Sequence, residues 1–95
     1  MLVHLVSFKY KSDTAAALRA QHRQRLAALK GLDGVIDLRV GADVVGSPRS
    51  YDTGLVVTFA DRAALDAYQT DAQHVPIAQF GVSVCEHIVA VDFDI

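Results

Sequence analysis

The stretch Leu2-Val-His-Leu-Val-Ser-Phe-Lys-Tyr10 decides the fold. Successive side chains of a β-strand point to opposite faces of a sheet. The two faces are Leu2, His4, Val6 and Phe8 on one side, and Val3, Leu5, Ser7 and Lys9 on the other. Both faces are apolar at their start, so the pattern predicts a strand that is covered on both sides.

The rest of the chain supplies one long helix, three more strands and two short helices. The predicted elements are a helix over residues 13–30, strands over residues 35–44 and 51–59, two short helices, and a last strand over residues 84–93. On the long helix, Ala15, Leu18, Leu26 and Leu29 form one apolar stripe that also contains His22. On the first of the later strands, Ile36, Leu38 and Val40 share one side.

This βαββαβ order predicts a single α+β domain over residues 1–95, with a ferredoxin-like, four-stranded antiparallel sheet that carries its helices on one face. The other face would be strongly apolar. It would carry Val3, Leu5, Val89, Val91 and Phe93. Because such a patch is unfavourable in water, we expect two sheets to pair face to face in a homodimeric α/β barrel.

Composition narrows the function classes. Hydrophobic residues make up 52% of the 95 residues, yet no apolar run approaches the roughly 20 residues that cross a bilayer, which predicts no membrane association. The N-terminus shows no signal-peptide pattern, so we expect a cytoplasmic protein. A net charge of −2 argues against a nucleic-acid partner. The single cysteine, Cys85, excludes an internal disulfide and is interpreted as a buried, inert thiol.

Chemistry is expected around Tyr68 and His74. Asp61 is a plausible N-cap for the first short helix, Tyr68 falls in its last turn, and His74 opens the second one, with Pro76 in its first turn. If the helices cover the His4 face, one apolar pocket would receive several side chains. These are His4, Val6, Phe8, His22, Leu26, Leu38, Thr53, Leu55, Tyr68 and His74. Such a pocket suits a hydrophobic small molecule that is held by one or two hydrogen bonds.

The chain resembles the stress-responsive A/B barrel (Dabb) family of the dimeric α/β barrel superfamily. The resemblance spans nearly the whole chain and rests on an ordered set of short motifs. They are Val3-His-Leu-Val-Ser-Phe-Lys9, Gly41-Ala-Asp-Val44, Tyr51-Asp52, Thr58-Phe59, Tyr68 with His74, and Val91-Asp-Phe93. The family often has His-Pro where this chain has Asp71-Ala72.

Plant polyketide cyclases belong to this family, and the resemblance implies roles for three residues. His74 would be the general base that removes an acidic proton from a poly-β-ketone, Tyr68 would orient it or stabilise the enolate oxygen, and His4 would line the site. No cofactor and no metal are implied. The family's pocket aromatics and a further histidine match Gln21, His22, Arg25 and Thr53 here, so the resemblance implies a more polar pocket of different shape.

Other interpretations stay open. Tyr68 and His74 can be packing residues, with one hydrogen bond for the hydroxyl and a backbone carbonyl for the imidazole. His4 can be a bonded, half-buried histidine, and His22 a residue of the helix surface or pocket mouth. His4, His22 and His74 could together bind one metal ion, but no ligand-spacing motif supports this interpretation.

At the level of function, the alternative to a cofactor-independent cyclase or lyase is a non-catalytic, stress-responsive homodimer that binds a hydrophobic metabolite. A monooxygenase like others of the superfamily ranks last. The chain contains no tryptophan and no asparagine, which such enzymes commonly use.

Overall fold

The computed structural model describes residues 1–95 as a four-stranded antiparallel sheet with three α-helices on one face. The elements are β1 (Leu2–Tyr10), α1 (Ala16–Ala28), β2 (Val35–Ala42), β3 (Thr53–Phe59), α2 (Arg62–Thr70), α3 (His74–Val84) and β4 (Cys85–Asp94), and a 3-10 turn (Leu29–Gly31) follows α1. The strand order is β2-β3-β1-β4. The predicted ferredoxin-like βαββαβ fold is therefore confirmed.

The face of β1 that carries His4 packs under the helices. Its side chains alternate in burial along the strand, and those at the even positions from Leu2 to Tyr10 are all buried. On β3 the inward residues Val57 and Phe59 are fully enclosed. Because β1 pairs with β3 on one side and with β4 on the other, its inward row forms the floor of the core.

A bulge changes the expected pattern of β2. The register shifts between Val35 and Asp37, so two residues of β2 face one residue of β3. Ile36 is consequently 53% exposed and does not share the buried side of Leu38, which corrects the predicted alternation.

Only the second half of the stripe predicted for α1 is buried. His22 and Leu26 on α1, and Leu29 just after it, are covered, whereas Leu18 is 40% exposed and Ala15 precedes the helix and is exposed. The helix closes with a 3-10 turn at Gly31, close to the predicted end.

The opposite face of the sheet is open and apolar. Its exposed large side chains are Leu5, Val56, Val89, Val91 and Phe93. They are neighbours across strands, since Leu5 pairs with both Val56 and Val91 and Val3 pairs with Phe93. No helix of the chain is both long and apolar enough to cross a membrane.

Candidate functional site

A cavity of about 310 Å³ lies between the inward row of β1, the inner side of β4 and helix α3. Ten of its fourteen lining residues are hydrophobic, so its polar groups stand out. The lining comprises His4, Val6, Phe8, His22, Leu26, Leu55, Tyr68, Gln69, His74, Ile77, Ala78, Val82, Ile88 and Ala90. The structure thus brings together four of the polar residues that the sequence singled out: His4, His22, Tyr68 and His74.

The turn between α2 and α3 sets the position of Tyr68 and His74. Helix α2 begins at an N-cap, where the Asp61 carboxylate accepts a hydrogen bond from the Ala64 N–H at 2.9 Å. After α2 ends, Asp71 organises the reversal, because its carboxylate accepts from the Gln73 N–H at 2.7 Å and its carbonyl accepts from the His74 N–H at 3.0 Å. As a result the His74 ring folds back onto Tyr68, with ring centroids 4.3 Å apart.

His74 is half-buried and has a defined tautomer. Its Nδ1 lies 3.2 Å from the Gln69 carbonyl oxygen. Because a carbonyl can only accept, Nδ1 carries the proton in the neutral ring, and Nε2 keeps a free lone pair. Burial lowers the pKa of this imidazole below its ordinary value, and the opposing effect of the Gln69 carbonyl is smaller. His74 is therefore neutral at pH 7 and can accept a proton at Nε2.

Tyr68 carries a buried hydroxyl with no hydrogen-bond partner in the chain. Its ring packs at its edge against Phe59 and His4, at centroid distances of 5.1 and 6.1 Å. Burial raises the pKa of the phenol to about 12, so it stays protonated. The expectation that this hydroxyl finds a protein partner is wrong. A buried donor without a partner is costly, and a ligand oxygen in the cavity would satisfy it.

His4 forms an ion-pair contact with an aspartate that the sequence analysis did not assign to the site. The His4 Nδ1 lies 2.5 Å from the Asp92 carboxylate. The two residues are register partners across β1 and β4, which places both on the helix-covered side of the sheet. The carboxylate accepts a hydrogen bond from the Nδ1–H and so fixes the orientation of the imidazole. One signal was present in the sequence: Asp92 is a charged residue on the same strand face as the apolar Ile88 and Ala90.

His22 is deeply buried, with only 1% of it exposed, and it lines the cavity. The alternative interpretation of this residue as one of the helix surface or pocket mouth is therefore wrong. Its Nδ1 lies 2.7 Å from the Tyr10 hydroxyl, which in turn lies 3.0 Å from the Thr53 hydroxyl. Burial, with a smaller contribution from the Arg23 charge, lowers the pKa of His22 to about 4. The side chain is therefore neutral inside the fold.

Two residues predicted to line the pocket lie elsewhere. Leu38 belongs to the core on β2, where it pairs with Val57 of β3, and Thr53 is buried at the start of β3, where its hydroxyl bonds that of Tyr10. For Leu38 the cause is the strand order, which places β2 at the edge of the sheet, away from the β1 and β4 residues that line the cavity. Conversely, Gln69 and residues of α3 and β4 line the cavity without having been predicted. No three His, Cys, Asp or Glu side chains lie close enough together to hold one metal ion.

The chain belongs to the family of the stress responsive A/B barrel domain, Dabb, whose model matches residues 2–95. This confirms the resemblance in the sequence. A search among curated proteins found no matching sequence.

Solved structures share the fold over nearly the whole chain. A dimeric ferredoxin-like protein of unknown function from Jannaschia sp. CCS1 is 29% identical, with a TM-score of 0.83 over 99% of this chain and 98% of that one. A second such protein, from Thermobifida fusca YX, has a TM-score of 0.90 at 20% identity over 99% and 90% of the chains. The hydroxynitrile lyase of Passiflora edulis has a TM-score of 0.87 at 20% identity over 99% and 92%.

The buried neutral His22 should make stability depend on pH. The pKa of its side chain is about 4 in the fold and near 6.5 in the unfolded chain, so the unfolded state binds more protons between these values. The free energy of unfolding should therefore fall by roughly 3 kcal/mol as the pH drops from 6.5 to 4.

Urea denaturation of the wild type and of His22→Phe at several pH values checks this pH dependence. The variant should lack this part of the decrease, because the other three histidines are common to both proteins. Parallel curves for the two proteins would contradict it.

Proposed function

We propose that the chain is a cofactor-independent lyase or cyclase that moves a proton on a keto-rich, polyketide-like small molecule. The observation that carries this proposal is the Tyr68–His74 pair. The two rings lie side by side in the wall of an apolar cavity. His74 supplies a proton acceptor, Nε2, and Tyr68 supplies a hydroxyl donor that has no partner in the chain. Such a pair can remove a proton from carbon and stabilise the oxygen on which the charge develops.

The chemistry balances without a cofactor. Nε2 of His74 takes the acidic proton that lies between two carbonyl groups, and the resulting enolate oxygen accepts a hydrogen bond from the Tyr68 hydroxyl. The enolate carbon then attacks another carbonyl of the same molecule, a carbon–carbon bond forms, and the new alkoxide recovers the proton from His74. In the reverse direction, the base takes a hydroxyl proton and a carbon–carbon bond breaks, which is lyase chemistry.

The surroundings of the pair favour this chemistry. Burial keeps His74 neutral and Tyr68 protonated over the same pH range, so base and donor are present together. An apolar lining also strengthens a hydrogen bond to a developing oxyanion, because little water competes for it. His4 adds a third polar group to the same wall, and its hydrogen bond to the Asp92 carboxylate fixes its orientation.

A non-catalytic function is the second candidate, and one contact favours it. The bond between His74 and the Gln69 carbonyl, together with the ring packing of Tyr68, gives both residues a structural role in the α2–α3 turn. On this view the same cavity would bind a hydrophobic metabolite and leave it unchanged.

The assembly is proposed to be a homodimer. The open face of the sheet exposes Leu5, Val56, Val89, Val91 and Phe93 in adjacent rows, and its pairing with a second copy would remove them from water. The neighbours from Jannaschia and Thermobifida fusca, which share this fold, are described as dimeric.

The base assignment predicts a loss of proton transfer in His74→Ala. With a linear β-diketone as probe, exchange of its central protons for deuterium should fall by roughly 10²–10⁴-fold, as expected for one proton-transfer group. Tyr68→Phe should lose less, roughly 10²-fold, because the base remains. Since the Tyr68 hydroxyl has no partner in the chain, Tyr68→Phe should also keep its melting temperature. Proton NMR follows the exchange and circular dichroism follows unfolding.

Gln73→Ala is the matched control, because Gln73 precedes His74 and its side chain makes no capping hydrogen bond. It should exchange the probe at the wild-type rate. A His74→Ala protein that melts earlier but exchanges the probe as fast as wild type would end the catalytic proposal in favour of the binding protein.

The pH profile of the exchange reaction should follow the neutral form of His74. The pKa of this imidazole in the fold lies below its ordinary 6.5, so the acidic midpoint of kcat/KM, where Nε2 is half protonated, should lie below pH 6.5. The Tyr68 phenol, with a pKa of about 12, should cause no alkaline decrease up to pH 10. The hydroxide-catalysed background is subtracted at each pH. An acidic midpoint above 6.5 would exclude His74 as the base.

The dimer prediction concerns the open face. Light scattering should give about 21 kDa, which is twice the 10.3 kDa of one chain. Val91→Asp should give monomeric or unfolded protein, because the new charge would be buried without a partner in the interface. Ala17→Asp places the same charge on exposed α1, on the other side of the sheet, and should remain dimeric. A wild-type mass near 10 kDa at micromolar concentrations would disprove the barrel.

A further inference from the structure

A second unpaired polar atom lies in the cavity region, away from Tyr68. The Nε2 of His22 is buried and has no hydrogen-bond partner in the chain. His22 lines the cavity beside Phe8, with ring centroids 4.8 Å apart, whereas Tyr68 lies beside His4. Phe8 follows His4 by four residues on β1, which places these two neighbours about 13 Å apart along the strand. The two unpaired polar atoms therefore lie beside different parts of β1.

The hydrogen bonds behind His22 favour one of the two neutral tautomers of its ring. Arg23 donates to the Thr53 hydroxyl oxygen at 3.3 Å. The Thr53 proton is then free to bind the Tyr10 oxygen, and the Tyr10 proton in turn binds Nδ1 of His22. A neutral imidazole that accepts at Nδ1 is protonated at Nε2. This chain of donors therefore leaves an N–H at the unpaired end.

A glycine on α3 packs closely against that N–H. A Cβ atom added to Gly81 would lie 3.0 Å from Nε2 of His22 and 3.6 Å from its Cε1. Any side chain at this position would crowd the nitrogen. The glycine is itself buried, and it lies one turn along α3 from the lining residues Ile77 and Ala78. We refer to this position, where only a glycine fits against the His22 ring, as the Gly81 notch.

We propose that the N–H of His22 binds a second oxygen atom of the substrate, at the end of the cavity remote from Tyr68 and His74. This inference rests on the proposed function, and it specifies the substrate class. The substrate would be an elongated, mostly apolar molecule with a reacting β-dicarbonyl group at one end and a hydroxyl or carbonyl oxygen several bonds away. The oxygen would complete the hydrogen-bond chain that begins at Arg23. A trapped water molecule bound to this N–H is the competing explanation for its lack of a partner in the chain.

A matched pair of probes tests the proposal. One is a linear β-diketone with a six-carbon tail that ends in a hydroxyl group, and the other ends in a methyl group. The measured quantity is the ratio of their dissociation constants, obtained by calorimetry. In His22→Phe the preference for the hydroxyl probe should fall by about three- to tenfold, the effect of losing one buried hydrogen bond.

Gly81→Ala provides a second variant that keeps every polar group. Its methyl group fills the Gly81 notch and should reduce the same preference, even if His22→Phe fails to fold. Gly31→Ala is the matched control, because a Cβ there meets no atom within 4 Å, and it should keep the wild-type ratio. In the wild type, the ¹⁵N signal of His22 Nε2 should shift with the hydroxyl probe and remain in place with the methyl probe.

The outcomes separate this inference from the proposed function. A lowered ratio in both variants, together with the probe-dependent ¹⁵N shift, supports the second oxygen site even if His74→Ala exchanges the diketone protons as fast as wild type. An unchanged ratio and an unmoved signal overturn it and assign the N–H to a trapped water, even if exchange depends on His74. A wild-type protein that binds neither probe also overturns it.

Discussion

The structure depends on the central position of β1 in the sheet. This strand pairs with β3 and β4 at once, and its inward row is buried beneath the helices, where Phe8 contacts His22 of α1 and His4 contacts Tyr68 of α2. Each large apolar side chain that this row buries contributes roughly 1.5–3 kcal/mol. A histidine in such a row needs a partner, and His4 finds it in Asp92, its neighbour across the strand pair. The same strand therefore organises the core and holds one wall of the candidate site.

The candidate site arises where this inward row meets the α2–α3 turn. Because Asp71 reverses the chain within a few residues, the His74 ring packs against Tyr68. The apolar surroundings then act oppositely on the two groups: burial lowers the pKa of the imidazole and raises that of the phenol. His74 therefore provides a proton acceptor and Tyr68 a hydrogen-bond donor. For both residues, burial is the main cause of the protonation state. This is why proton transfer without a cofactor is the chemistry that the arrangement supports best.

Local sequence patterns were sufficient to predict the element order, the two faces of β1 and the proximity of Tyr68 and His74, because alternation, helix caps and chain reversals depend on nearby residues. Two features depend on distant residues and were missed. The bulge at Ile36 is a property of the β2–β3 pair, and the exclusion of Leu38 from the cavity follows from strand order. The role of Asp92 was missed for the same reason, since only the β1–β4 register brings it to His4.

Strand β4 connects the proposed interface with the proposed site. Its outward residues Val89, Val91 and Phe93 belong to the open apolar face, while Ile88 and Ala90 line the cavity and Asp92 holds His4. In the single chain β4 is an edge strand that pairs only with β1. A second copy that covers the outer side of β4 would hold this strand more firmly in register with β1. It would thereby also hold the Asp92 carboxylate, which orients His4. If the dimer forms as proposed, assembly and site geometry are therefore not independent, because one ten-residue strand serves both.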